Sequence, residues 1–168
     1  MSRIIVDKQI VDCDAPILRA NEDGSFPIVP ELSEQGLVFV SLPQYLAQKA
    51  ELTARGDVGV WFAASDEPEL LGADAAQLAF IAVEFPAFTD GRGFSIGRLL
   101  RERYGFTGQL RAFGDVFKDT LNYLARCGFN AFAVRADKDI EDAVKGIDDF
   151  TEFYQSSVGQ PQPLFRRR

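Results

Sequence analysis

Five short apolar runs recur along the chain, each followed by a stretch of helix-forming composition, and this alternation constrains the fold more than any other feature. The runs are Leu37–Leu42, Val58–Ala63, Leu78–Phe85, Gln109–Phe113 and Phe129–Val134. They are rich in Val, Ile and Phe and mostly lack polar alternation, as strands covered on both faces do. The stretches between them read as helices over Pro43–Arg55, Glu67–Leu71, Ser95–Tyr104, Asp115–Cys127 and Asp139–Gln155. Pro43 falls in a first turn, and Gly56, Gly105 and Gly128 stand where helices stop. The pattern predicts an α/β fold: a mostly parallel sheet of about five strands with crossover helices. A complete eight-unit barrel needs about 200 residues or more, and the chain has 168. The alternative is therefore an incomplete or small barrel-like βα arrangement.

Ahead of these units, Ile4 to Ile10 reads as a small N-terminal β-hairpin around Asp7-Lys8, expected to stand apart from the main fold. Asp12 to Pro30, with Asn21-Glu-Asp-Gly, reads as an irregular connection. Residues 1–155 are expected to form one domain. Residues 156–168 collect Gly, Gln and Pro before Pro163-Leu-Phe-Arg-Arg-Arg, and are expected to be a flexible basic tail without regular structure, ordered only by a partner.

Asp and Glu outnumber Lys and Arg by 25 to 18, so the molecule repels polyanions and general nucleic-acid binding is disfavoured. Histidine is absent, which leaves carboxylates, Lys, Tyr or Cys as the only acids and bases. Cys13 and Cys127 form no C-x-x-C pair or cluster, so no metal site is expected. The amino terminus lacks a secretory apolar core, and the run Leu78–Val83 is too short to span a bilayer. A cytoplasmic protein with reduced thiols is expected.

Charge is uneven. Asp90 to Arg126 holds seven basic residues (Arg92, Arg98, Arg101, Arg103, Arg111, Lys118, Arg126) against four acidic ones (Asp90, Glu102, Asp115, Asp119). Within this island Asp90-Gly91-Arg92-Gly93-Phe94-Ser95 leads from a strand into a helix, with Ser95 the expected N-cap. Free helix-start N–H groups, glycines that let a ligand approach the backbone and an arginine fork suit phosphate, sulfate or carboxylate. The competing reading is a plain turn, with Arg98, Arg101 and Glu102 on a solvated helix face. The spacing Gly91-x-Gly93-x-x-x-Gly97 departs from the dinucleotide fingerprint, and no P-loop occurs.

In a parallel sheet the loops after successive strands open at one edge, where ligands bind. This would gather Ser65 and Asp66, then Asp90, Arg92 and Ser95, then Gly114 and Asp115, then Asp137 and Lys138. Ser65-Asp66 and Asp115 also read as ordinary helix caps, the better reading for Asp115. Cys127 reads as a packed, unreactive thiol, Trp61 as core, and Phe94 as the one aromatic expected near a ligand.

Phe88-Thr-Asp-Gly-Arg-Gly-Phe-Ser, Arg98-Leu-Leu-Arg, Gly105-Phe-Thr-Gly, Leu110-Arg-Ala-Phe-Gly-Asp-Val and Arg126-Cys-Gly-Phe together resemble a bacterial domain-of-unknown-function family. The match runs from about Phe85 to Val134. Its genes typically lie beside those for the sulfite or nitrite reductase hemoprotein and phosphoadenylyl-sulfate reductase, and its members often carry an oxidoreductase label. The resemblance implies a role in sulfur assimilation but supplies no catalytic residues.

Two functions follow as expectations. The first is an accessory protein of assimilatory sulfate and sulfite reduction that binds the sulfite reductase hemoprotein or its electron donor, with Leu164, Phe165, Arg166, Arg167 and Arg168 as the docking residues. The second is a small-molecule enzyme of the oxidoreductase kind, holding an anion such as sulfite, sulfate, a nucleotide or a flavin phosphate. Its ligand-binding residues would be Asp90, Gly91, Arg92, Gly93, Ser95, Arg98, Arg111 and Asp115. No cofactor is evident in either case.

Overall fold

The structure, a computed structural model, describes residues 2–29 and 36–167. Pro30 at the end of the N-terminal connection and Arg168 of the tail lie outside the described residues. Seven strands form one sheet: β1 (Arg3–Val6), β2 (Gln9–Asp12), β3 (Val38–Ser41), β4 (Val58–Phe62), β5 (Phe80–Phe85), β6 (Gln109–Gly114) and β7 (Ala131–Phe132). Their order is β2-β1-β7-β6-β5-β4-β3. Strands β3 to β7 run parallel and in sequence order. The count is seven rather than five because the hairpin does not stand apart. β1 pairs antiparallel with β7, matching Ile5 to Phe132, and brings β2 with it. Ile5 is fully buried there, and that burial joins the hairpin to the sheet.

The helices are α1 (Leu42–Ala47), α2 (Lys49–Arg55), α3 (Arg92–Glu102), α4 (Lys118–Arg126) and α5 (Ile140–Ala143). The helix expected over Pro43–Arg55 is broken at Gln48, whose backbone leaves the helical region (φ −118°, ψ 25°) and caps both halves. The stretch Glu67–Leu71 gives only a 3-10 turn, Pro68–Leu70, followed by another over Gly72–Gln77. The long helix expected over Asp139–Gln155 stops early. After α5 the chain tightens to 3-10 over Val144–Asp148, where a Cβ on Gly146 would stand 2.8 Å from the Lys118 carbonyl oxygen. Asp148 and Asp149 then place negative charge at a helix end that disfavours it.

One large core joins Leu52, Ile96, Leu100, Leu121, Leu124 and Ile140 of the helical segments to Val40, Val60, Ile81, Val83, Leu110 and Phe132 of the sheet. The opposite sheet face forms a second cluster of Phe39, Trp61, Ala82 and Phe113, packed by Ala15 and Ile17 of the N-terminal connection. Helices therefore cover one face and an irregular strap the other, and among the described residues the parallel strands follow one another without a reversal of order.

Chain length sets the curvature. Ile17 bridges to the free edge of β3, with the Phe39 N–H donating to the Pro16 carbonyl and the Leu18 N–H to the Phe39 carbonyl. From Asp12, the end of β2 at the other edge, Ile17 is within about 18 Å of chain. Across a flat sheet the same seven inter-strand steps would cover about 34 Å. The sheet is thus curled into an open trough, and residues 13–16 span the seam between its edges.

Candidate functional site

The turn after β5 is built around Asp90. Its carboxylate accepts from the Arg92 backbone N–H (3.2 Å), Nε (3.0 Å) and Nη2 (2.6 Å). These bonds, the side-chain ones foremost, hold the Asp90 pKa down at about 2. Helix α3 starts at Arg92 with Gly91 as its N-cap. Ser95 therefore lies inside the helix and is not the cap, because Asp90 already takes the first N–H. Gly93 and Gly97 face the protein interior. A Cβ on Gly93 would meet the Phe85 ring at 2.7 Å, and one on Gly97 the Phe129 ring at 2.3 Å. Their smallness seats α3 on the sheet.

Asp115 is not a helix cap. The N-cap of α4 is Phe117, while Asp115 accepts from the Phe88 N–H (2.8 Å) and from Arg135 Nη1 (2.7 Å). It ties the Asp90 turn to the loop after β7, where Arg135 also pairs with Asp137, and Lys138 stands 3.9 Å from Asp137. Gly114, before it, has φ 97° and a Cβ position 2.4 Å from the Phe85 carbonyl oxygen, so glycine is required. Asp66 closes its own turn by accepting from the Ala63 N–H at 2.7 Å. Burial raises its pKa, with a smaller contribution from Glu84. Phe94 packs between Phe85 and Tyr123, with ring centroids 5.0 and 4.8 Å away.

The basic island disperses in space. Arg98 pairs with Glu102 on the same helix, and Lys118 with Asp142. Arg103 stands 4.0 Å from Glu69. Arg101 donates to the carbonyls of Gly128, Phe106 and Gly108 and to Asn130 Oδ1. Arg126 lies over the Phe153 ring at 4.3 Å. These residues sit on or beside the helical side. Arg111 does not: its neighbours Leu110 and Ala112 face the helices, so Arg111 points into the trough.

There Arg111 is 4% exposed. Its Nη2 lies 3.4 Å from Cys13 Sγ, and its guanidinium rests over Phe39. Gln109 Oε1, with its amide turned toward the arginine, accepts from Nη2 (2.9 Å) and Nε (3.3 Å). Trp61, which donates to the Leu18 carbonyl, and Phe113 wall the trough, while Arg19 covers Trp61 and pairs with Glu84. Cys13, Arg19, Trp61 and Glu84 were not candidates on sequence grounds. The available signal was Gln109-Leu-Arg-Ala-Phe: a charged residue in mid-strand, on the face opposite two core residues.

The C-terminal segment carries more structure than its composition suggests. The Val158 N–H donates to the Arg126 carbonyl and the Leu164 N–H to the Tyr154 carbonyl. A 3-10 turn covers Leu164–Arg166, Leu164 is half-buried, and Arg167 donates to the Phe153 carbonyl and lies 3.6 Å from Glu152. Phe165 and Arg166 face solvent. Phe150, Tyr154 and Phe165 are 65, 69 and 60% exposed, and Arg98, Tyr154, Gln155, Ser156 and Pro163 line a shallow hollow beside them.

Fold and trough together define an open, curled α/β sheet with helices outside and a buried arginine within. The chain belongs to the family described as "Bacterial protein of unknown function (DUF934)", whose model matches residues 59–165. No curated protein and no solved structure matches it. Among the described residues no helix is long and apolar enough to cross a membrane.

Proposed function

We propose that this chain is a non-catalytic accessory protein of assimilatory sulfite reduction, docking through its C-terminal segment on the sulfite reductase hemoprotein or its electron donor. The observation that carries this reading is the exposed aromatic pair Tyr154 and Phe165, with ring centroids 6.3 Å apart, flanked by Arg166, which lies 5.8 Å from the Phe165 ring. Exposed aromatics rimmed by arginine favour protein contacts. On a chain of net charge −7, a local basic rim selects an acidic partner surface. The sulfur-assimilation partner follows from the resemblance carried by the segment Phe85–Val134.

The test is co-expression with the hemoprotein or its donor, followed by size-exclusion chromatography. Wild type should co-elute with one of them, and a Tyr154→Ala, Phe165→Ala double variant should lose at least tenfold in affinity. Separate elution of the wild type from both, or undiminished binding by the double variant, overturns the reading. The runner-up, an anion-binding enzyme of the oxidoreductase kind at Asp90–Ser95, needs a flavin or nucleotide phosphate to compete with Asp90 for Arg92. Ligand-induced thermal stabilisation abolished by Arg92→Ala would favour it.

A further inference from the structure

We propose that Arg111, inside the curled sheet, is the centre of a binding site for a small oxyanion, which enters at the seam spanned by residues 13–16. This goes beyond the docking role and does not depend on it.

The argument starts from charge. Among the described residues no carboxylate reaches Arg111. Its polar contacts are the Cys13 sulfur at 3.4 Å and the Gln109 amide, neither of them a carboxylate, and below it lies the Phe39 ring. A guanidinium has five N–H donors; these neighbours take three, two on Nη2 and one on Nε, and neither of them reaches the two on Nη1. Several other arginines find a counter-charge: Arg92 in Asp90, Arg55 in Asp57, Arg135 in Asp115 and Asp137, while Arg126, less deeply placed, rests on the Phe153 ring. Arg101, the other deeply placed arginine, instead satisfies four oxygen acceptors that the fold must satisfy. Arg111 finds no carboxylate among the described residues, and only Gln109 Oε1 and Cys13 Sγ take its donors. A buried, uncompensated cation is costly to keep, and burial pushes its pKa down accordingly. Such a group is retained where an anion completes it.

Position supports the same reading. The residues paired with Arg111 on the two adjacent strands are Ala82 and Ala131, both buried and both small. Trp61 and Phe113 supply apolar walls, which strengthen a charge-assisted hydrogen bond by excluding water. The Trp61 N–H is already committed to the Leu18 carbonyl, so recognition rests on the arginine fork, which matches carboxylate or a tetrahedral oxyanion. Cys13 is half-exposed and stands at the seam, in contact with Arg111.

The experiment uses the full chain, with inorganic sulfate, inorganic phosphate and acetate as probes, against chloride at equal ionic strength. One of them should raise the melting temperature saturably. The same anion should slow alkylation of Cys13 by iodoacetamide at least threefold. Arg111→Met should melt no lower than wild type in chloride, because it removes an uncompensated buried charge, and should lose the saturable response. Sulfate and phosphate also stabilise proteins generally by exclusion, an effect that does not saturate and that the variant retains. The proposal is overturned if no probe gives a saturable shift with Cys13 protection, or if Arg111→Met responds as wild type does. Should Arg111→Met fail to fold, Arg111→Lys with the alkylation assay decides, since lysine keeps the charge and loses the fork: unchanged protection overturns the site. Co-elution with a partner is unaffected by these variants, so failure here is distinguishable from failure of the docking role.

Discussion

The Arg111 guanidinium lies 4.7 Å from the centre of the Phe39 ring, although β5 and β4 stand between their strands in the sheet. In a flat sheet the two backbones would be about 14 Å apart. Contact at this distance, together with the Trp61–Phe113 edge contact at 5.9 Å across β5, follows from the curl. The buried arginine is thus a product of sheet curvature and of the strap that closes over it.

Close packing of α3 gives the first prediction. An exposed helical Gly→Ala change normally stabilises by up to about 1 kcal/mol. At Gly97 the added methyl would meet the Phe129 ring, so Gly97→Ala should destabilise by about 1–3 kcal/mol. Gly91→Ala, whose Cβ finds only a Phe94 atom at 4.0 Å, should change stability far less. Urea unfolding of the two variants checks the contrast.

Asp90 should titrate anomalously. Its carboxylate is held at a pKa of about 2 by Arg92, below the ordinary value of about 3.9. A depressed folded-state pKa means that its stabilising contribution is fully present above the ordinary value and is lost as pH falls toward 2. An NMR titration of the carboxyl carbon should show this midpoint, and Arg92→Ala should return it to the usual carboxylate range.

The two thiols should differ in native reactivity. Cys127 is buried at the end of α4, and burial raises its pKa, against smaller opposing contributions from Tyr123, Arg98 and Arg126. Cys13 is half-exposed at the seam. Iodoacetamide should label Cys13 in the folded protein and Cys127 only after unfolding, as read by peptide mass spectrometry. Prompt labelling of Cys127 would show that the end of α4 opens readily.

Arg101 should be a structural keystone. Arg101→Met removes the donor to the Gly128, Phe106 and Gly108 carbonyls and should cost about 2–4 kcal/mol by leaving them unsatisfied. Asn130 Oδ1, which also accepts from the Leu110 N–H, keeps one partner. Thermal unfolding measures the loss, which should exceed that of Arg98→Met, since Arg98 makes a surface pair with Glu102.

Local chemistry made the βα alternation, the parallel strands and the helix stops legible in the chain. Apolar runs of strand length and left-handed glycines at Gly56, Gly105 and Gly128 act over a few residues. Helix lengths were less legible. Nothing local to Asp139–Gln155 shows that Gly146 must press against Lys118, and nothing local to Ser95 shows that Asp90 has already taken the first helical N–H.

The candidate site divides the same way. The residue order alone places Asp90, Arg92 and Arg111 in one basic island, within a turn, helix and strand that follow one another. Folding is what separates Arg111 from the rest of the basic island and brings it to Cys13, 98 residues away. Period-two alternation sends it to the face opposite Leu110, and the curl of the sheet then encloses it. Which face is enclosed depends on β1 pairing with β7 and on Ile17 reaching β3. Both are long-range hydrogen-bonded contacts that no short window of sequence contains.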